Sequence, residues 1–83
     1  MENWQVKKRP LCLERRFEFK SYAETRDFLD HLGDLSEEKN IFPDISFGRT
    51  YVNITIRPEN ETNDAQITDY EQNFASDIDG LLN

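Results

Sequence analysis

The chain has 83 residues, a formal net charge of -7 and a single cysteine, Cys12. One cysteine excludes an internal disulfide, and no segment approaches the roughly 18 apolar residues that a membrane-spanning helix needs. Residues 59–83 carry seven Asp and Glu residues and no Lys or Arg, which disfavours a phosphate-dominated nucleic-acid interface. We therefore expect one small cytoplasmic domain over residues 1–83, short enough to gain stability by self-association.

Alternating apolar and polar residues predict two strands at the start of the chain. The first covers residues 4–8, and we expect it at a sheet edge because charge and Pro10 flank it. The second covers residues 11–19, with an apolar side that only Arg15 interrupts. A long cationic side chain in such a place is expected to lie across the sheet margin with its guanidinium in water.

Capping residues followed by apolar stripes predict two helices. Ser21 and Glu24 form a capping box at the start of the first helix, and Thr68 and Glu71 repeat this signal at the second. Gly33 inside the first helix predicts loose last turns or the close approach of a neighbour. The apolar stripes have helical spacing and are expected to pack on a sheet. They comprise Tyr22, Thr25, Phe28, Leu29, Leu32 and Leu35, and then Tyr70, Phe74, Ala75, Ile78 and Leu81.

A strand hairpin is predicted between the helices. Ile45 and Phe47 begin its first strand, and Gly48 is expected to supply backbone freedom for a tight turn. The second strand covers residues 51–57, with Val52, Ile54 and Ile56 on a buried face. The polar residues 58–66 are expected to form an exposed loop. The order β-β-α-β-β-α predicts an α+β fold, a four-stranded antiparallel sheet with both helices on one face.

The letters from Glu37 to Pro43 carry a family resemblance. An acidic residue, three spacers and the run Ile41-Phe42-Pro43 precede the hairpin, and Ile67-Thr68 opens the last helix. In order and spacing these segments resemble the pterin-4a-carbinolamine dehydratases, in which the run reads His-His-Pro. The resemblance begins at a leading tryptophan, extends over nearly the whole chain and implies the same fold.

The same resemblance implies where the catalytic groups would lie. The paired histidines of the family fall on Ile41 and Phe42, and the third falls near Glu59, so none of the three is a histidine here. Histidine suits proton transfer near neutral pH, and losing general acid–base catalysis costs about 10² to 10⁴ in rate. The single histidine, His31, lies within the first predicted helix. We expect no enzymatic activity, no cofactor and no metal site.

Without those histidines, and with the run Thr-Tyr-Val-Asn in the second hairpin strand, the chain is similar to a divergent branch of the family. This branch comprises the pterin-dehydratase-like Rubisco assembly factors of bacteria with α-type carboxysomes. The resemblance implies a homodimeric cytoplasmic chaperone, possible carboxysome association, and contact with Rubisco, either its large subunit or an assembly intermediate, rather than with nucleic acid or a membrane. Aromatic and arginine side chains often anchor protein contacts. The expected contact residues are Ile41, Phe42, Tyr51, Asn53 and Arg57.

Three alternatives stay open at this point. Ile41 and Phe42 could fill the emptied pocket as core instead of contacting a partner. Glu59 and Glu71 could replace the imidazoles in an active 4a-hydroxytetrahydrobiopterin dehydratase, which a turnover assay would detect. The chain could also be a dimerisation cofactor of a transcription factor, as some members of the family are, and this function would require a helix-bundle partner.

Overall fold

The computed structural model describes residues 3–8, 11–58 and 66–82. These residues form four strands and two helices in the predicted order. The elements are β1 (Gln5–Lys8), β2 (Leu11–Glu18), α1 (Tyr22–Lys39), β3 (Asp44–Phe47), β4 (Tyr51–Ile56) and α2 (Asp69–Gly80). The α+β fold class is confirmed. Most of the predicted loop, including Glu59, lies outside the described residues.

The four strands form one antiparallel sheet in the order β1-β2-β4-β3. The central strands β2 and β4 pair from Leu13 opposite Ile56 to Glu18 opposite Tyr51. The outer strands β1 and β3 are edges, which confirms the prediction for β1. The hairpin of β1 and β2 and the hairpin of β3 and β4 each contribute one edge strand and one central strand.

The hydrophobic core lies between the sheet and both helices. Val52, Ile54 and Ile56 of β4 are buried as their alternation predicts, and they form one cluster with residues of β2, α1 and α2. The helical members of that cluster are Phe28, Leu32, Phe74, Ala75 and Ile78. Both helices therefore cover the same face of the sheet. Tyr22 and Tyr70 belong to the predicted stripes but are exposed, because each lies in the first turn of its helix.

Both predicted cap residues stand at the helix starts, but the structure shows the reciprocal capping box only at α2. The hydroxyl of Ser21 accepts a hydrogen bond from the Glu24 backbone N–H at 3.2 Å. At α2, the backbone N–H and the hydroxyl of Thr68 both donate to the Glu71 carboxylate at 2.7 Å. The first helix ends at Asn40, whose φ of 56° is left-handed, a conformation that asparagine tolerates better than most residues.

The predicted reason for Gly48 is wrong. No described glycine has a positive φ, so the turn does not need the left-handed freedom of glycine. A Cβ at Gly48 would instead overlap the aromatic ring of Tyr51, so this position needs a residue without a side chain. A Cβ at Gly33 would meet nothing within 4 Å, so the predicted close neighbour of that residue is absent among the described residues.

The prediction for Arg15 is also wrong. Its guanidinium forms a short ion pair with Asp79 of α2 and packs 4.2 Å from the ring centre of Phe17. The Asp79 carboxylate also accepts a hydrogen bond from Nε1 of Trp4 at 2.9 Å. The guanidinium is partly buried because Asp79, far along the chain, supplies a carboxylate. The resulting network joins Trp4, β2 and α2.

Candidate functional site

The five predicted contact residues lie in three different surroundings. Tyr51, Asn53 and Arg57 share one face of the hairpin strand, opposite the buried face. Ile41 is partly buried and packs against the core cluster, whereas Phe42 is 69% exposed. The alternative that both Ile41 and Phe42 fill the core therefore fits Ile41 and does not fit Phe42.

The second face of the sheet carries no helix within the described residues, and we call it the helix-free face. Its side chains are those that alternate with the buried residues of the strands, and they are mostly polar. They are Gln5, Lys7, Cys12, Glu14, Arg16, Glu18, Asp44, Ser46, Tyr51, Asn53, Thr55 and Arg57. Three acidic and three basic residues in this set balance one another.

A groove of about 520 Å³ lies on the helix-free face. Its side chains form two rows that run across the strands, following the registers of β1 with β2 and of β2 with β4. The backbone of Arg15 and Ile54 forms the floor between the rows, because both side chains point to the other face. The first row is Asn3, Arg16 and Asn53, and the second is Gln5, Glu14 and Thr55.

Arg16 is the central cation of this groove. Its guanidinium lies 4.2 Å from the ring centre of Tyr51, and its Nε is 3.6 Å from a carboxylate oxygen of Glu18. The contact with the ring is a favourable cation–π interaction, while the long and exposed ion pair with Glu18 contributes little. The Arg16 side chain is 52% exposed, so its guanidinium, with five N–H donors, is accessible to a ligand.

Arg57 and Cys12 also lie on the helix-free face. Nε of Arg57 contacts a carboxylate oxygen of Asp44 at 2.6 Å, which joins the end of the hairpin to the start of β3. Burial raises the pKa of the Cys12 thiol, and the adjacent Glu14 carboxylate raises it further. The thiol therefore stays protonated at neutral pH, a state in which cysteine is a poor nucleophile.

Of the two acid–base candidates of the dehydratase alternative, Glu71 is described and Glu59 lies outside the described residues. Glu71 is 2% exposed and accepts the two hydrogen bonds of the α2 cap. His31 is exposed on α1. Among residues 3–8, 11–58 and 66–82, no three His, Cys, Asp or Glu side chains come together as a metal site. Neither described helix is long and apolar enough to cross a bilayer.

An exposed apolar edge is the feature that the sequence prediction missed. Ile45 and Phe47 pair with Ile54 and Val52 and lie on the side of the sheet that the helices cover. They are nevertheless 41% and 53% exposed, because β3 is an edge strand that the helices do not reach. The sequence prediction placed Ile45 and Phe47 on the first hairpin strand without assigning their exposure, and only the strand order distinguishes an edge residue from a core residue.

Comparison with known proteins identifies relatives in sequence. The family described as Pterin 4 alpha carbinolamine dehydratase matches residues 1–81. A protein of Rubrobacter xylanophilus with a provisional pterin-4-alpha-carbinolamine dehydratase name is 43% identical over 44 residues, covering 53% of this chain and 41% of the relative. A protein of Aromatoleum aromaticum with the same provisional name is 33% identical over 52 residues, covering 63% and 46%. The chain thus matches less than half the length of these curated relatives.

Two solved structures share the fold. A pterin dehydratase-like protein identified as a RuBisCO assembly factor in the α-carboxysome has a TM-score of 0.83 and 44% identity, with 95% of this chain and 88% of the other covered. A transcriptional coactivator/pterin dehydratase from Brucella melitensis has a TM-score of 0.84 and 16% identity, with 100% and 85% covered. The second likeness establishes the fold alone.

Proposed function

The chain belongs to the pterin 4 alpha carbinolamine dehydratase family, and from this premise we propose that it is a non-catalytic Rubisco assembly factor that acts by protein–protein contact. One observation carries the proposal. The chain is 44% identical, over 95% of its length, to a pterin dehydratase-like protein identified as a RuBisCO assembly factor in the α-carboxysome. The transcription-cofactor alternative is supported by a likeness in fold only.

The non-catalytic part of the proposal rests on the side chains at the family's histidine positions. Ile41 and Phe42 carry no titratable group, and general acid–base catalysis needs a group that gains and loses a proton near the working pH. Glu71 already accepts the hydrogen bonds of the α2 cap. We expect a 4a-hydroxytetrahydropterin to dehydrate at the buffer rate in the presence of the protein, and a rate well above it would support the dehydratase alternative.

We place the Rubisco contact on the helix-free face and on the neighbouring Phe42. Tyr51, Asn53 and Arg57 supply an aromatic ring, an amide and a guanidinium on this face, and tyrosine and arginine are common anchors of protein contacts. Phe42 adds a largely exposed apolar side chain two residues before Asp44. The described helices carry ten acidic and two basic residues, so the charge-balanced sheet face is the less charged surface for contact.

Self-association through β3 is the second part of the proposal. A chain of this length buries a small core, and β3 presents both an unpaired backbone edge and the exposed side chains of Ile45 and Phe47. Antiparallel pairing of β3 with the β3 of a second copy is isologous, so the same surface serves both partners and the assembly closes as a homodimer. This arrangement leaves the helix-free face open for Rubisco.

Coexpression tests the proposed function. An α-carboxysomal Rubisco is produced in a heterologous host with and without the protein, and assembled holoenzyme is measured on native gels and by carboxylation activity. We expect the protein to increase the yield, and the variants Tyr51→Ala and Phe42→Ser to remove most of the increase. Tyr70→Ala is the matched control, because Tyr70 is an exposed aromatic residue on α2. A yield that the protein does not change would contradict the proposal.

A further inference from the structure

We propose that the groove on the helix-free face binds an extended peptide segment of the partner, which lies across the strands with an acidic side chain against Arg16. This inference deepens the proposed function and rests on it for the identity of the partner. The peptide site itself follows from the geometry, the hydrogen-bonding groups and the charge of six side chains that line the groove.

The dimensions of the groove fit a peptide backbone. Strands in a sheet are about 4.8 Å apart, so β1 and β4 are about 10 Å apart across β2, the length of about three extended residues. Side chains on one face of a strand recur about every 6.8 Å. The row of Arg16 and the row of Glu14 line this groove, and its volume lies in the range of ligand pockets.

The hydrogen-bonding groups of the two rows match the peptide backbone. Asn3, Gln5 and Asn53 carry amides, each of which donates and accepts hydrogen bonds as a peptide group does. Within the described part of the chain, no protein hydrogen bond engages the side chains of Gln5, Asn53 or Thr55. A ligand that offers alternating N–H and C=O groups on both sides of its axis can satisfy both rows.

The charges of the groove favour a peptide that carries an acidic side chain. Arg16 lies over the Tyr51 ring and its side chain is 52% exposed, and a guanidinium binds a carboxylate through two parallel hydrogen bonds. Glu14 stands in the other row, where its carboxylate lies 3.8 Å from Nζ of Lys7. Glu14 disfavours a second acid on that side, so the fitting sequence has one acidic residue between neutral polar ones. The acidic helices on the opposite side repel such a segment and favour its approach to the sheet.

Amide-detected NMR of the ¹⁵N-labelled protein tests the peptide site directly. The probes are acetyl-Thr-Glu-Thr-amide and acetyl-Thr-Lys-Thr-amide, which differ only in the central charge. We expect the glutamate peptide to shift the signals of Gln5, Arg16 and Asn53 and to bind about tenfold more tightly than the lysine peptide. Equal affinities, or shifts confined to β3 or to the helices, would overturn the proposal.

Two variants locate the binding to Arg16. Arg16→Gln removes the guanidinium from the groove and is expected to reduce the affinity for the glutamate peptide about tenfold, to that of the lysine peptide. Arg26→Gln is the matched control, because Arg26 is an exposed arginine beside a tyrosine hydroxyl on α1. Circular dichroism verifies that both variants fold. An affinity that Arg16→Gln leaves unchanged would overturn the proposal.

The coexpression assay separates this inference from the function on which it rests. If the wild-type protein raises the Rubisco yield and Arg16→Gln lowers it, the peptide site serves assembly. If Arg16→Gln and the wild type raise the yield equally, the groove is not the Rubisco site and the assembly function stands. If the glutamate peptide binds in the groove but the wild type does not raise the yield, the Rubisco function is wrong and the peptide site stands.

Discussion

Cys12 is the buried titratable thiol of the helix-free face, and its surroundings make stability depend on pH. Burial, reinforced by Glu14, raises the pKa of the thiol above its ordinary value of 9.0. A group with a raised pKa in the folded state stabilises that state fully below the unfolded pKa, and the contribution is lost as the pH rises through the folded pKa. The folded state therefore favours the protonated thiol of Cys12, and alkaline pH lowers the free energy of unfolding by removing that proton.

We expect the free energy of unfolding to fall more steeply above about pH 9 in the wild type than in Cys12→Ala, since only the wild type carries the thiol. Urea denaturation at a series of pH values measures this difference. Parallel curves for the two proteins across the alkaline range would mean that the thiol is not perturbed.

Glu71 is a buried carboxylate that accepts hydrogen bonds from the backbone N–H and the hydroxyl of Thr68. Removing it in Glu71→Ala leaves the start of α2 without its cap, and we expect the free energy of unfolding to fall by about 1 to 3 kcal/mol. Glu37→Ala, at an exposed position of α1, is the control and should change stability by less than about 0.5 kcal/mol. Urea denaturation followed by circular dichroism compares them. Equal stability of the two variants would contradict the structural role of Glu71.

At the residue scale, the sequence predicted contacts between residues close in the chain and did not predict contacts between distant residues. The sequence identified Ser21 and Thr68 as caps, because a cap involves residues only three positions apart. It did not identify Asp79 as the partner of Arg15, because 64 positions separate them and no local pattern links them. The left-handed Asn40 was also missed, although an asparagine after a helical stripe is a known stop signal.

At the element scale, the attachment of α2 to the sheet depends on Asp79. Asp79→Ala would leave the Arg15 guanidinium and the Trp4 N–H without their acceptor at a partly buried site, and we expect a loss of about 2 kcal/mol. Asp77→Ala is the matched control, because Asp77 is an exposed acid of α2, 4.0 Å from Lys39. Urea denaturation monitored by Trp4 fluorescence measures both. A loss in Asp77→Ala as large as in Asp79→Ala would contradict this role.

The hairpin of β3 and β4 depends on the space above Gly48. In Gly48→Ala the new Cβ would overlap the Tyr51 ring, so we expect the ring to move and the Arg16 guanidinium to lose its stacking contact. The side-chain proton signals of Arg16, shifted by the aromatic ring in the wild type, should move towards their ordinary positions in NMR spectra. Gly80→Ala is the control, because a Cβ there meets nothing within 4 Å. Unmoved Arg16 signals in Gly48→Ala would contradict the prediction.

All six elements could be predicted because hydrophobic periodicity is a local property. The alternating apolar residues of β4 lie within a few residues, and the apolar stripes of α1 and α2 lie within a few helical turns. The order of these elements along the chain then limited the possible folds. The exposure of Ile45 and Phe47 could not be predicted in the same way. Their exposure depends on which strand is outermost and on how far the helices extend, and both are properties of the assembled sheet.

At the scale of the whole molecule, the candidate site was predicted only in part. Tyr51, Asn53 and Arg57 were placed on one face by alternation, and the structure has them there. The groove also needs Gln5, Glu14 and Arg16 from β1 and β2, and their alignment with β4 depends on strand register. Residues of three strands form one row only after the sheet has formed, so no single segment of the sequence predicts the groove.

The two edges of the sheet differ in a way that determines how copies of the chain can meet. The β1 edge carries Lys7 and Lys8, and lysine on an edge strand discourages pairing with another sheet. Val6 is exposed there, but positive charges surround it. The β3 edge carries one charged residue, Asp44, which pairs with Arg57, together with the exposed Ile45 and Phe47. Pairing between two β3 strands buries apolar side chains without bringing lysines together.

Sedimentation equilibrium tests this choice of edge. We expect the wild-type protein to have about twice its chain mass of 9.9 kDa, and Phe47→Asp to sediment as a monomer because each dimer would bury two added carboxylates. Val6→Asp is the matched control, since Val6 is 55% exposed on the opposite edge, and it should remain dimeric. Dissociation by Val6→Asp with a dimeric Phe47→Asp would assign the interface to β1, and a monomeric wild type would remove self-association from the proposed function.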